Sequence, residues 1–207
     1  SLLSALMFPA PGQTAKIDLS DEATPSKLVN TAPKEPSYRL VRLNKGKPII
    51  THQMFRDVGA VTLTGSKIEE GDNINGPSLL RVPDWIPPSQ RAHPDAVYYL
   101  YFANHRGDYI RLAWAATIEG PYTLYNAGRG IPLKDRGVLS INVEDDNFPL
   151  GNGILIGNHI ASPDVFADDA NRRIIMYFHG PTNLPGQKTF VAFSEFGLDF
   201  NGKIEPV

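Results

Sequence analysis

The sequence predicts an all-β protein built from repeated antiparallel units, and three observations predict it. Short runs of aromatic and β-branched residues recur along the chain, the composition that fits a pleated, half-buried surface. Eighteen Gly and 18 Pro punctuate those runs, as expected of a chain that turns often. One order of strands and turns then occurs twice.

Residues 1–37 form a lead-in. Ser1–Phe8 is apolar and is read in two ways, as the tail of a signal-peptide core or as an apolar arm packed on the domain. The first reading makes the protein secreted or periplasmic. Residues 9–37 are rich in Pro, Ser, Thr, Lys and Asp, show no sustained period, and read as extended. Tyr38–Leu43 has the pattern of a strand, Gly46-Lys47-Pro48 of a turn, Pro48-Ile49-Ile50 of a further extended piece, and Val58–Leu63 of another short β run.

The first full unit begins near Asn73. Asn75–Val82 reads as a strand entered through the Gly76-Pro77 turn, and Pro83–Pro94 as a Pro-rich loop. Val97–Phe102 is an aromatic strand, Asn104–Asp108 a polar loop, Tyr109–Ala115 a third strand, and Thr123–Tyr125 a fourth after the Glu119-Gly120-Pro121 turn. The order repeats from Ser162. Ser162–Phe166 is the Pro-led strand, Asp168–Asn171 a turn, and Arg173–Phe178 the aromatic strand. His179-Gly180-Pro181 opens a polar loop, Thr189–Ser194 is the third strand, and Glu195–Phe200 turns into a fourth. Pro77 to Pro163 is 86 positions, Tyr101 to Tyr177 is 76, and Ala113 to Ala192 is 79, so the loops differ while the order is kept. Four short antiparallel strands per unit fit a propeller blade, or two successive meanders of a sandwich.

Composition narrows the function classes. Hydrophobic residues make up 42% and charged residues 20%, the range of a globular protein. The net charge is −2 with no basic stripe, which argues against a nucleic-acid partner. No apolar run is long enough to cross a bilayer as a helix. With no cysteine, disulfides, Cys metal sites and a thiol nucleophile are excluded. No nucleophile-elbow, phosphate-loop, dinucleotide or zinc-helix motif occurs.

Four segments carry a family resemblance. Gly76-Pro77-Ser78-Leu79-Leu80 with Tyr98-Tyr99-Leu100-Tyr101-Phe102 is similar to the Asp-Pro-Ser-Ile-Ile strand and the Tyr-rich strand of family 43-like glycoside hydrolases. Ile110–Ala115 through Glu119-Gly120-Pro121-Tyr122 resembles their Ile-Gly-Leu-Ala strand and Glu-Gly-Pro-Trp turn. Ser162-Pro163-Asp164-Val165-Phe166-Ala167-Asp168-Asp169 resembles their Asp-Pro-Ser-Val-Phe blade opening, and Phe193–Phe200 their Ser-x-Asp-Gly turn. The resemblance covers roughly residues 73–203. It implies a five-bladed β-propeller, incomplete in this chain: residues 38–207 would hold clear blades at about 73–126 and 160–203, because five blades need on the order of 300 residues. The remaining blades would come from missing sequence or another chain, and a further blade would begin at Ile204. It also implies a glycoside hydrolase-like activity on a plant or algal poly- or oligosaccharide. A polysaccharide lyase on uronic acids and a non-catalytic carbohydrate-binding propeller are the alternatives.

The resemblance directs attention to the end of each unit where the first strand starts. There the family's catalytic base is replaced by Gly76 and its second Asp by Ser162, with a carboxylate at Asp164 instead. Glycoside cleavage uses two carboxyl groups, which makes Asp164 the first catalytic candidate, as against an Asp that accepts main-chain N–H bonds. His159 and His179 flank the same strand pair and suit proton transfer, or hydrogen bonding within a loop. Asn75, His105, Arg106 and Ser162 are the candidate sugar-binding residues, Arg106 being suited to an acidic sugar. Trp85, in the Pro-rich loop, is the candidate stacking platform, while Trp114 reads as core between blades. No cofactor is implied. Glu144-Asp145-Asp146 makes calcium conceivable, but its spacing does not match an EF-hand loop and it reads as a solvated run.

Overall fold

A computed structural model describes residues 42, 44–58, 71, 73–104, 107, 109–127, 131, 137–140, 147–149, 155–157, 159–202 and 204–207. The lead-in, most of Tyr38–Leu43 and of Val58–Leu63, His105, Arg106, Asp108 and Glu144–Asp146 lie outside the described residues. The described part is mostly β, with two multi-stranded antiparallel sheets, one short α-helix and two single 3-10 turns.

The first sheet is built in chain order from β1 (Ile74–Arg81), β2 (Tyr98–Asn104), β3 (Tyr109–Ala115) and β4 (Thr123–Tyr125). A short strand, β5 (Leu139–Ser140), joins the start of β3 through Tyr109 and Ile110. A two-stranded ribbon, β6 (Asn147–Pro149) and β7 (Leu155–Gly157), follows. The second sheet is β8 (Ala161–Asp168), β9 (Arg173–Pro181), β10 (Gln187–Ser194) and β11 (Ile204–Pro206), again in chain order.

The structure moves three boundaries. His179-Gly180-Pro181 is not the start of a loop but the end of β9, held by pairing of His179 with Thr189 and of Pro181 with Gln187. Ile204-Glu205-Pro206 does not open a further unit: it pairs with Ala192, Val191 and Phe190 as the fourth strand of the second sheet. Pro48-Ile49-Ile50 bends instead of extending, and leads into α1 (His52–Asp57). That helix is six residues long, too short to hold on propensity, and is anchored by its buried Phe55.

Both sheets stand on one main core. Tyr99, Tyr101, Ile110 and Leu112 of the first sheet meet Val165, Ile174, Met176, Phe178, Phe190 and Ala192 of the second. Strand β2 explains the aromatic run, because it is buried on both faces. Its odd-numbered Tyr99, Tyr101 and Ala103 join this core, while Leu100 and Phe102 join a second cluster with Ile50, Phe55, Ala113, Ala115 and Tyr122. Phe55 packs edge-on against Phe102, with ring centroids 6.3 Å apart.

Main-chain groups tie the sheets as well. The Tyr101 hydroxyl donates to the Gly197 carbonyl at 3.0 Å, and Phe200 N–H donates to the Val138 carbonyl at 2.8 Å. The Asn201 side-chain carbonyl accepts from Ser140 N–H at 2.8 Å.

The two sheets repeat one another position by position. Ser78 lies opposite Tyr101 and Asp164 opposite Tyr177; Leu112 lies opposite Tyr101 and Val191 opposite Tyr177. Hence Ser78 corresponds to Asp164, Tyr101 to Tyr177 and Leu112 to Val191. These are the offsets of 86, 76 and 79 positions read from the sequence.

Candidate functional site

The inner strands β1 and β8 lie against each other. Each is broken near its start by a bulge, between Asn75 and Ser78 in β1 and between Ala161 and Asp164 in β8. The cause is the same in both. Pro cannot donate to the ladder, so Pro77 and Pro163 interrupt pairing, and the residue before each adopts a left-handed backbone, Gly76 at φ 54° and Ser162 at φ 51°. Glycine does this freely, and serine does not. The sequence had placed Gly76-Pro77 in a turn leading into the strand, whereas the pair lies within it.

The two bulges touch. A Cβ on Gly76 would stand 2.5 Å from the Ser162 Cα, so the backbones are in contact and nothing larger than hydrogen fits between them. A second link follows directly: the Ser78 hydroxyl accepts Val165 N–H at 2.9 Å, from the inner strand of one sheet to that of the other.

This arrangement gathers several of the expected residues at one end. Asn75 is partly buried opposite Ala103, and Ser162 is exposed on its bulge. His159 is partly buried beside Ile160, whose N–H donates to the Gly107 carbonyl at 3.0 Å, just ahead of β3. His179 is partly buried opposite Ala161. Asp164 is exposed, one step further along β8 and opposite Tyr177. By strand alternation Asp164, Phe166, Tyr177 and His179 share the face of the second sheet turned away from the main core. Phe166 and Tyr177 stack on that face with centroids 5.8 Å apart.

Trp85 is not brought to this end. It follows the far end of β1, packs at the edge of the main core, and donates its indole N–H to Asp169 at 2.8 Å, in the turn after β8. Trp114 does pack on the main core, as a partly buried side chain, and its outer face stacks on His93 at 4.3 Å. Sequence reasoning missed that stack because His93 lies in the Pro-rich loop, whose path no periodicity fixes.

Asp168 closes the opposite end. It accepts from the Asn171 amide and from the Arg173 guanidinium, both at 2.8 Å, and these bonds hold its carboxyl below the usual range. Burial pushes the Tyr99 phenol up to about 12, against the opposing effect of the Ala92 N–H that it accepts at 2.8 Å. The Tyr101 phenol is raised as well, by burial first and then by the neighbouring Tyr99.

Comparison with known proteins gives limited company. No family model matches the chain. A curated relative, an uncharacterized protein R118 of Acanthamoeba polyphaga mimivirus, is 29% identical over 135 residues, covering 62% of this chain and 35% of its own. The chain thus spans about a third of the curated relative's length. Among solved structures, an α-L-arabinofuranosidase of Clostridium thermocellum aligns at a TM-score of 0.33 and 20% identity, over 53% of this chain and 30% of that one.

Proposed function

We propose that this chain is part of a carbohydrate-active β-propeller of the glycoside hydrolase type, with its ligand end where β1 and β8 start. The observation that supports this reading most is the contact of two Pro-led inner strands, Gly76 against Ser162, from consecutive four-stranded sheets. Two of the motifs that resemble family 43-like enzymes fall on those strands, with the Tyr-rich one on β2 paired to β1. Asn75 and Ser162 offer neutral hydrogen-bonding groups for sugar hydroxyls there, and His159 and His179 lie at the same end. His105 and Arg106 complete the proposed set from outside the described residues. In a hydrolytic form of this reading Asp164 is the carboxyl group available on β8, with His179 as the imidazole on its sheet face.

A second reading, carbohydrate binding without cleavage, is favoured by one specific feature. Neither residue that precedes the two prolines is an acid, and the Gly76–Ser162 contact leaves no volume for a carboxylate at position 76. The discriminating experiment combines a panel of aryl glycosides and oligosaccharides with a glycan-binding screen on the full-length protein. Turnover that Asp164→Asn abolishes without changing Tm supports hydrolysis. Binding without product supports the second reading. Neither binding nor turnover on any carbohydrate removes the proposal.

A further inference from the structure

Residues 199–201 fasten the second sheet to the segment that carries β5. Phe200 N–H donates to the Val138 carbonyl at 2.8 Å, and the Asn201 side-chain carbonyl accepts the Ser140 N–H at 2.8 Å. The rest of the Asn201 amide is engaged as well. Its Nδ2 donates to the Asp199 carboxyl at 2.8 Å, and the same oxygen accepts the Asn201 main-chain N–H at 2.9 Å. Gly202 comes next. It lies in a bend between strands, is exposed like Asn201, and has nothing within 4 Å of the place of a Cβ.

In an Asn-Gly pair the glycine nitrogen readily reaches the preceding side-chain carbonyl, because no Cβ obstructs the approach and the backbone is free to turn. Three such pairs occur, Asn75-Gly76, Asn152-Gly153 and Asn201-Gly202. The first lies within β1, partly buried, with Gly76 pressed on the Ser162 backbone. The second lies outside the described residues. At Asn201 the Ser140 N–H already donates to the oxygen on which negative charge develops when Cγ is attacked, and a donor fixed in that place stabilises the adduct.

We propose that Asn201-Gly202 is a site of covalent self-modification, an intramolecular deamidation that loosens the tie to Ser140 and releases the edge strand β11. Gly202 N gives up its proton to solvent and attacks Asn201 Cγ. The N–Cγ bond forms and the Cγ–Nδ2 bond breaks. The nitrogen leaves as ammonia, taking up a proton from solvent in place of the one Gly202 lost. Water then opens the cyclic imide at either carbonyl to give aspartate or isoaspartate, so the sum is amide plus water to acid plus ammonia. In the aspartate product a carboxylate oxygen replaces the Nδ2 that donated to Asp199, and a hydrogen bond becomes a like-charge contact. In the isoaspartate product an extra main-chain carbon enters the span between Phe200 and Ile204. Both of these are anchored in the main core, and Ile204 is paired with Ala192, so the longer span no longer fits the register of β11. The inference takes nothing from the carbohydrate reading, and either can fail alone.

The test keeps the full-length protein below its Tm at mildly alkaline pH, which favours loss of the Gly202 proton, and digests samples with trypsin against a zero-time control. Asn201 is the only carboxamide residue in the peptide Thr189–Lys203, so the mass gain of an amide-to-acid change there, resolved into two isomers by chromatography, reports this site alone. Conversion at Asn201 is expected to run well ahead of conversion at Asn75. Gly202→Ala is expected to slow it at least about tenfold at unchanged Tm, because the added methyl obstructs the attack and finds open space in the fold. Asn201→Asp is expected to speed hydrogen exchange at the Ser140 N–H. The converted protein is expected to speed it there and at the Val207 N–H, which donates to the Thr189 carbonyl at 3.1 Å beyond the end of β11. An Asn201 that stays an amide overturns the proposal, and so does a conversion that Gly202→Ala leaves as fast. Equal rates at Asn201 and Asn75 place the reaction in the unfolded chain and overturn it too. Conversion that leaves exchange at Ser140 and Val207 unchanged overturns the release of β11.

Discussion

Substitution of Gly76 by alanine isolates the contact on which the arrangement of the two inner strands depends. Two costs add at this position. The backbone is left-handed, which costs a non-glycine residue about 1–2 kcal/mol. The new methyl would stand 2.5 Å from the Ser162 Cα, a backbone atom that no side-chain rotation can move. Overpacking of that kind costs about 1–3 kcal/mol. The sum is about 2–5 kcal/mol, and at this chain length a Tm fall of about 5–15 °C. Two other glycines separate the terms. Gly186 has φ 82° with nothing within 4 Å of its would-be Cβ, so Gly186→Ala carries the conformational cost alone. Gly202 has open space and no left-handed backbone, so Gly202→Ala is expected to be near neutral. Urea melts of the three variants give the order Gly76→Ala, Gly186→Ala, Gly202→Ala from most to least destabilised. A Gly76→Ala no worse than Gly186→Ala would refute the contact between the bulges.

Two further predictions concern pH. Because burial raises the Tyr99 phenol to about 12, the folded state keeps its proton where the unfolded chain has lost it. Stability is therefore full below about pH 10 and falls as pH rises towards about 12; Tyr99→Phe should flatten that alkaline slope in denaturant melts, and an unchanged slope would contradict the burial. Asp168 behaves in the opposite sense. Its folded value is lowered, so its contribution is present above about pH 4 and is lost as pH falls through that lower value. Asp168→Asn should be less stable than the unmodified protein at neutral pH, with the gap closing in acid; a gap independent of pH would mean that the Asn171 and Arg173 bonds do not favour the ionised carboxylate.

The strands were legible where chemistry and periodicity agreed. Tyr109–Ala115 and Thr123–Tyr125 were read to the residue, and the 86-, 76- and 79-position offsets are the register of the folded sheets. What failed lay where pairing overrides composition. His179-Gly180-Pro181 contains two residues that favour loops, but β10 supplies partners as far as Gln187. Ile204-Glu205-Pro206 is too short to announce itself and becomes a strand because Val191 is there to pair with Glu205. The six-residue helix His52–Asp57 exists through the burial of Phe55 against Phe102, a contact between residues 47 positions apart that no local pattern records. Of the candidate site, the Pro-led strand starts were visible as motifs, but their mutual contact was not. The bond of Trp85 to Asp169, in the turn after β8, was not legible either, because a Pro-rich loop gives no indication of which partner it will meet.

The central claim is that the second sheet repeats the first and stacks on it through β1 and β8. Amide hydrogen exchange at Val165 tests this most directly, since its N–H donates across the interface to the Ser78 hydroxyl. The account predicts slow exchange at Val165, accelerated at least about tenfold in Ser78→Ala relative to any change at Leu100 and Phe178. An exchange rate at Val165 that Ser78→Ala leaves unchanged relative to those two residues would contradict it.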